Sequence, residues 1–480
     1  MQKIIRASAH AGGIQDMGDA QKMTGEQIEA LKAIVGEGER VVTTPATVER
    51  LSKDFYWYSP VLKPMLESKK GEVVLYPLKT GEIVEILRFC YVQDIPVTAR
   101  GAGTGNYGQA IPLQGGVVLD LMRMDKLEQI THDGVAVCEP GLRLGALEGK
   151  AREQGWELRC YPSTVVKASV GGFLGGGSGG IGSISHGGLR DFDTVRALEV
   201  VTMEREPAIR LHEGEAVHDI LHAWGTNGII TKIWLALAPK VEWVQEAIAF
   251  ETYEGAFDFS EHIAVNSAWT KRLVTTFEAP IADYFSPVRA LCPLGKHMVF
   301  MLVALDQLET LKQAANEAGG TVTYAEAYRG LKFAPLLSDY TWNHTTLWAI
   351  KHDAAYTYLQ CGFDPDRVRE QMALLRSRFG QEILFHMEFI KNGEGRVIPA
   401  AIPLVRFVST ERLNEMIACC RDNGVFVANP HVNNLEDGGR FREDHAQLQA
   451  KRRYDPKGLL NPGKMLSFTP AELAMEEQVR

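Results

Sequence analysis

The chain has 480 residues, too many for one ordinary core and suited to two or three domains. Apolar residues make up 45% and charged residues 23%, the balance of a globular protein that stays in water. The net charge of −9, with no strongly basic stretch, argues against a nucleic-acid footprint, and no run approaches the roughly 18 apolar residues that would span a bilayer.

The N-terminus, MQKIIRASAHAGGIQDMGDAQ, lacks the apolar centre of a signal peptide, so a cytoplasmic location is the default expectation. Seven cysteines (Cys90, Cys138, Cys160, Cys292, Cys361, Cys419 and Cys420) form an odd set with no C-x-x-C pair. Reduced, mostly buried thiols are expected, not a disulfide framework or a structural zinc site.

A helix is expected over 25–35 (GEQIEALKAIV). Val73–Tyr76 is β-branched and aromatic, ends at Pro77, and reads as a strand. Thr80 stands at a plausible N-cap with Glu82 in the first turn, and Ile83, Ile86, Leu87 and Cys90 follow at helical spacing. Pro96–Ala99 then starts a second strand, which completes a β-α-β unit whose exit is the glycine turn RGAGTGNYG. Further strands are expected at 117–121, 135–139, 195–201 and 229–237, with a helix at 144–154. Strands outnumber helices through 240, which favours an α+β domain.

After about 240 the pattern changes. Strands at 244–250 and 298–305 alternate with helices near 306–318, 365–379 and 410–423, and a strand follows at 425–428. Strand–helix–strand occurring twice suggests a split β-α-β, ferredoxin-like cap. The expected division is therefore 1–240 for the first domain (core about 68–240), 241–430 for the cap, and 431–480 for a closing segment that returns to the first domain.

The strongest chemical signal is VGGFLGGGSGGIGSISHGG. Ten of the eighteen residues from Gly171 to Gly188 are glycine. Each glycine costs up to about 1 kcal/mol relative to alanine inside a helix or strand, so the tract is expected to be a loop. Backbone without Cβ atoms can approach a ligand closely and aim several N–H groups at one anion, so a pyrophosphate or a flat ring is the natural guest. In the earlier turn, Gly103, Gly105 and Gly108 formally match G-x-G-x-x-G. However, Gln109-Ala110-Ile111-Pro112 follows, so no helix can start there and the Rossmann reading is rejected. No P-loop signature occurs anywhere. Pro162-Ser163-Thr164, just upstream of the tract, offers hydroxyl donors.

The order of motifs resembles the vanillyl-alcohol oxidase/PCMH-type flavoprotein superfamily. The series runs RGAGTGNYG, Glu139-Pro140-Gly141, Tyr161–Thr164, VGGFLGGGSGG, HGGLRDFDTVRALEVV and GTNGIITKIWLAL, and it closes on YDPKGLLNPGKM. The members most similar in motif are glycolate-oxidase-subunit and D-lactate-dehydrogenase-like proteins. The resemblance implies a PCMH-type FAD-binding domain of two α+β subdomains with FAD between them, and a cap over the substrate face. It assigns the pyrophosphate to Arg100, Gly101, Ala102, Gly103, Thr104, Gly105, Asn106, Tyr107 and Gly108. It runs Pro162, Ser163, Thr164, Gly171, Gly172, Gly175, Gly176, Ser178, Gly179, Gly180 and Gly182 along the ribityl and isoalloxazine. Ile229 and Ile230 would contact the adenosine side, and Asn461 would return to the flavin. No His or Cys lies between Arg100 and Gly116, so non-covalent FAD is expected.

The implied activity is hydride transfer from a hydroxylated small molecule, a 2-hydroxy acid foremost, to the flavin, with electrons passed on to a quinone or protein acceptor. An alanine at position 110, where the family places the residue gating oxygen, points to a dehydrogenase. The alternatives are an aryl-alcohol or phenol oxidase, suited by Trp342 and Trp348, and an FAD subunit of an electron-transfer complex. A homodimer stays open. The family's His-rich metal segment is replaced by Phe385-His386-Met387-Glu388-Phe389, and its carboxylate-clamping arginine by Lys351, three residues after Trp348. A lysine cannot make the bidentate fork.

The catalytic base is sought among histidines, which suit proton transfer near neutral pH. His431, beside Asn433 and Asn434, and His344, among Trp342, Thr345 and Trp348, lead. Lys351, Trp348, His386 and Asn433 are the expected substrate contacts. His386 and Glu388 share one strand face and are expected to form a hydrogen-bonded pair, with a metal shared with His431 as the lesser alternative.

Overall fold

The computed structural model describes residues 22–36, 38–439 and 444–470. The N-terminal stretch expected to lack an apolar leader lies outside the described residues. Among the described residues, no helix is long and apolar enough to cross a membrane.

The chain enters through α1 (Gly25–Val35), started by a capping box. The Thr24 hydroxyl accepts the Gln27 N–H, and the Gln27 side chain accepts the Thr24 N–H. After β1 (Val41–Val42), α2 (Pro45–Leu51) and α3 (Leu62–Leu66) come β2 (Val73–Leu75), α4 (Thr80–Val92), β3 (Val97–Arg100) and β4 (Val117–Asp120). The first sheet has the order β1-β2-β4-β3, with β2, β4 and β3 parallel and β1 antiparallel at one edge. Ile83, Ile86, Leu87 and Cys90 of α4 are fully buried against it, as their spacing requires. Lys79, not Thr80, is the N-cap, because the Thr80 hydroxyl turns to Glu199 (3.4 Å).

The second sheet is built from β5 (Leu127–Ile130), β6 (Val135–Cys138), α5 (Leu144–Glu153), β7 (Trp156–Leu158), α6 (Val170–Gly176), α7 (Ser183–His186), β8 (Val195–Val201), β9 (Ile209–Glu213) and β10 (Ile229–Pro239). Its order is β5-β6-β10-β8-β9, antiparallel throughout, with β7 on the far end of β10.

The cap begins with β11 (Trp243–Phe250), α8 (Tyr253–Val265), β12 (Lys271–Phe277), β13 (His297–Ala304), α9 (Leu308–Glu317) and β14 (Thr321–Ala327). Their order, β14-β11-β13-β12, is that of a ferredoxin-like unit. After α10 (Asn343–His352) and β15 (Tyr356–Tyr358) the pattern recurs. It comprises β16 (Gln360–Gly362), α11 (Val368–Phe379), β17 (Ile383–Leu384), β18 (His386–Lys391), β19 (Val397–Ala401), β20 (Leu404–Arg406), α12 (Thr410–Asp422) and β21 (Phe426–Ala428). Here the order is β18-β19-β16-β21, and antiparallel pairing of β12 with β18 joins both units into one eight-stranded sheet. The α+β reading with a ferredoxin-like cap holds, but the cap has two such units where one was expected.

After α13 (Leu435–Gly438) and α14 (His445–Tyr454) the chain returns to the first sheet, where Leu460 bridges Val97. Lys451, fully buried, fixes this return by donating to the carbonyls of Thr226 and Leu460 and to Asp455.

Candidate functional site

A cavity of about 890 Å³ opens between the first two sheets and is roofed by the cap. That lies toward the upper end of ligand pockets, roughly 300–1,000 Å³. Its floor is the turn that leaves β3. Arg100 lies beneath this turn. Its Nη1 donates to the Lys53 carbonyl (2.6 Å) and its Nε stands 3.7 Å from Asp120. A Cβ on Gly103 (φ +65°) would overlap the guanidinium, so the turn closes over Arg100 only with glycine there.

The far end of the turn is held from three sides. Buried Asp54 accepts the N–H groups of Tyr56 (3.0 Å) and Ala110 (3.3 Å). Lys464 Nζ donates to the Gly108 carbonyl (2.7 Å). Asn461 Nδ2 donates to the carbonyls of Gln109 (2.8 Å) and Trp224 (2.7 Å). Burial raises the Asp54 carboxyl to about 6 against the opposing pull of Lys464 and Arg100. Burial also lowers the Lys464 ammonium to about 7 against the pull of Asp54.

The glycine tract forms the facing wall, with a correction. Val170–Gly176 is the helix α6, not a loop, and Ser183–His186 is a further helical turn. The conformational cost of its glycines is offset by the Ser169 cap, which accepts the Gly172 N–H (3.2 Å), and by burial of Val170, Phe173 and Leu174. Close approach explains the composition. A Cβ on Gly101 would sit 2.3 Å from Ser169 Oγ and 3.3 Å from Gly172 Cα. A Cβ on Gly171 would sit 2.5 Å from Pro140. By contrast, no atom lies within 4 Å of where a Gly175 Cβ would be, and Gly175 lines the cavity, so a side chain there would occupy cavity space. On the same wall Trp224 Nε1 is buried without a partner. A bare glycine face and an orphaned donor fit a flat dinucleotide laid against backbone.

The roof is the start of α10 together with β16, β18, β19 and β21. Trp342 precedes α10 with φ +52°, a strained conformation for a bulky residue. Glu388 stabilises it by accepting the Trp342 N–H (2.8 Å) on Oε1, while its Oε2 accepts the Thr275 hydroxyl (2.6 Å). This turn aims Asn343, His344 and Leu347 at the cavity. His344 Nδ1 donates to the Asp339 carbonyl (3.1 Å), which leaves Nε2 with its lone pair. Burial lowers the His344 imidazole to about 4, so it is neutral at pH 7.

Of the residues assigned from sequence, Arg100–Tyr107, Pro162–Thr164, Gly171, Gly172, Gly175, Gly176, Ser178, Gly179, Ile230 and His344 line the cavity. Gly108, Gly180, Gly182, Ile229 and Asn461 stand behind the wall and shape it. Gly180 and Gly182, for example, pack against the Tyr161 and Arg159 carbonyls. The other substrate-side assignments need correction. His431 is buried away from the cavity, with Nδ1 at Ser59 Oγ (2.8 Å) and Nε2 at the Tyr358 carbonyl (2.9 Å). Both nitrogens are engaged, so it fastens cap to floor. Lys351 is exposed, with its ammonium over the Trp348 ring (4.2 Å), because α10 carries both away from the cavity. Asn433 is off the wall too. His386 is fully buried and bonds to Glu388 (3.0 Å) behind the roof. His431 does not join that pair, and among the described residues no group of three or more His, Cys, Asp or Glu is placed to hold a metal. The sequence reading missed Asp54, Asn343, Gln360 and Trp224, since nothing local to those residues signals a ligand.

Residues 71–206 match the family model described as "FAD binding domain". The chain is 28% identical over 279 residues to a D-lactate dehydrogenase of Archaeoglobus fulgidus, a match covering 55% of this chain and 61% of that protein. It is 26% identical over 291 residues to the mitochondrial D-2-hydroxyglutarate dehydrogenase of Bos taurus, covering 58% and 51%. It is 28% identical over 208 residues to the glycolate oxidase subunit GlcD of Bacillus subtilis, covering 42% and 44%. The matched stretch thus spans less than two thirds of these relatives. Among solved structures, an alkyldihydroxyacetonephosphate synthase superposes with TM-score 0.70 over 94% of this chain and 88% of its own, at 14% identity, which shows the fold alone. The comparisons thus place an FAD binding domain in the first part of the chain, over residues 71–206.

Proposed function

We propose that the chain is an FAD-dependent dehydrogenase of small 2-hydroxy acids, holding its cofactor non-covalently. The observation that carries this is the meeting of two features in one cavity, the glycine-lined cradle below and a neutral histidine with a free lone pair above. FAD, when bound, supplies a hydride acceptor. His344 Nε2 takes the hydroxyl proton as the hydride leaves the substrate carbon, and the Asp339 carbonyl keeps the ring in the tautomer that can accept. The buried floor and the cap sheet exclude water. The names of the matched relatives support the 2-hydroxy acid class. Ala110, on the cavity wall, supports passage of electrons to a quinone or protein acceptor over direct reaction with oxygen.

One observation favours a second reading, an aryl alcohol substrate. Phe55, Tyr58, Trp342 and Leu347 line the cavity, and Trp342 and Leu347 flank His344 on the same helical start. The Lys and Arg side chains on the described wall are Arg100, beneath the floor, Arg190, and Lys391. Lys391 is five residues along β18 from His386, roughly 17 Å at the usual strand rise. Anaerobic mixing of FAD-loaded protein with D-lactate, D-2-hydroxyglutarate, glycolate and benzylic alcohols separates the readings. A hydroxy acid should bleach the flavin band, and His344→Ala should slow that step by roughly 10²–10⁴-fold. Bleaching by benzylic alcohols alone would select the second reading, and bleaching by neither would sink both. Acid precipitation should release the flavin into the supernatant; colour kept in the pellet would contradict non-covalent binding.

A further inference from the structure

Three side chains join the floor to the roof beside His344. Tyr107 leaves the pyrophosphate turn and donates its hydroxyl to Gln360 Oε1 on β16 (2.6 Å). Gln360 Nε2 lies 3.5 Å from Asn343 Oδ1 and donates to it. All three residues line the cavity, and Asn343 adjoins His344 in sequence.

A primary amide has one accepting and one donating end, so this order is directional. With the Gln360 oxygen committed to the Tyr107 hydroxyl, its nitrogen faces Asn343. Asn343 must then present its oxygen to Gln360, since a flipped side chain would set two NH₂ groups against each other. Asn343 Nδ2 is therefore turned away from Gln360, and no partner for it exists among the described residues. The reference point is rigid. Tyr107 is 5% exposed, and its ring packs at 5.9 Å from that of Trp224.

We propose that Asn343 is the substrate-orienting donor of the cavity, reading a carboxylate oxygen, and that Tyr107 and Gln360 are positioning residues that decide which way its amide faces. This rests on the reading of the cavity as the meeting place of FAD and substrate. It gives the carboxylate a neutral amide partner in place of a cationic clamp. It also couples the cap to the cofactor turn, because the donor faces correctly only when the Tyr107 hydroxyl is in register with β16.

The test uses the full chain loaded with FAD and titrated with oxalate, an inert dicarboxylate, followed by the change in flavin absorbance. Flavin content is measured first for every variant. Loss of a hydrogen bond to a charged group should weaken oxalate by about tenfold or more in Asn343→Ala. Asn343→Asp should weaken it further, because a carboxylate would face a carboxylate. Gln360→Leu and Tyr107→Phe should each weaken it less than Asn343→Ala. In the Asn343→Ala background, Gln360→Leu should have no further effect, a non-additivity that a merely structural role would not produce. Oxalate binding unchanged in Asn343→Ala or Asn343→Asp, an additive double variant, or an FAD-loaded wild type that does not bind oxalate would each overturn the proposal. Failure of the wild type to take up FAD would instead sink the cofactor reading beneath it.

Discussion

Arg272 of β12 is the charged bolt between cap and FAD domain, and its removal has a calculable consequence. It is 3% exposed and reaches across to Glu148 (3.0 Å), Glu157 (3.4 Å) and the Leu158 carbonyl (2.9 Å), with its guanidinium 4.8 Å from the Tyr161 ring. Arg272→Met keeps the length of the side chain but removes the charge. Glu157 would retain Arg152 and the Trp243 N–H, whereas Glu148 would keep only the Leu158 N–H (2.7 Å). Breaking a buried pair from one side typically costs about 3–5 kcal/mol. The partners left to Glu157 put the expected loss near the lower end, about 3 kcal/mol. Urea denaturation followed by tryptophan fluorescence reads it. A second substitution, Glu148→Leu, should recover a large part of the loss by removing the stranded carboxylate. A loss under about 1 kcal/mol, the value of an exposed ion pair, would refute the reasoning, and so would a double variant no more stable than the single.

Glu246, fully buried on β11 with neither carboxylate oxygen partnered, is raised by burial from 4.5 to about 7. The folded state then holds the proton more tightly than the unfolded one, so this group's contribution is most favourable below about 4.5 and is lost as pH rises to about 7, on the order of 3 kcal/mol in all. Thermal unfolding should show Glu246→Leu stabilised at pH 8 and with less of this slope; equal destabilisation at pH 5 and pH 8 would show the carboxylate to be well partnered. Lys464→Met should weaken FAD about tenfold or more by freeing the Gly108 carbonyl and leaving Arg100 as the remaining cation opposing Asp54, as read by equilibrium dialysis; unchanged affinity would show that the turn holds its shape without it.

Much of the FAD domain could be read from sequence because its elements carry strong local signals. The α4 residues Ile83, Ile86, Leu87 and Cys90 keep helical spacing, β2, β3 and β10 are apolar, β-branched runs closed by Gly or Pro, and β4 is opened by Gly115-Gly116. The glycine tract was legible as a backbone wall but not as a helix, because α6 depends on a Ser169 cap and on Gly101 meeting Gly172 across the chain, and propensity sees neither. The substrate side was the least legible. The segment WNHTTLWAIKHD has no clean apolar stripe, so α10 was not expected. Without it, His344 and Lys351 looked equally placed. On a helix rising 1.5 Å per residue, Lys351 lies roughly 12 Å along the axis from Asn343, clear of the cavity. His431 carried favourable neighbours in sequence but is consumed by Ser59 and Tyr358, contacts 372 and 73 residues away. Asn343 and Gln360 are common polar residues whose meaning comes only from each other and from Tyr107.

The central claim is that α6 and the β3 turn form an FAD cradle with bare glycine at its surface. The most direct measurement is a titration of flavin-free protein with FAD, followed by quenching of flavin fluorescence, on the wild type and on Gly175→Val. The wild type should saturate at one FAD per chain. Gly175→Val, whose added Cβ would meet no neighbouring side chain or facing backbone within 4 Å, should fold normally and bind far more weakly because it fills the cavity. A wild type that takes up no FAD, or a Gly175→Val protein that binds it equally well, would contradict the account.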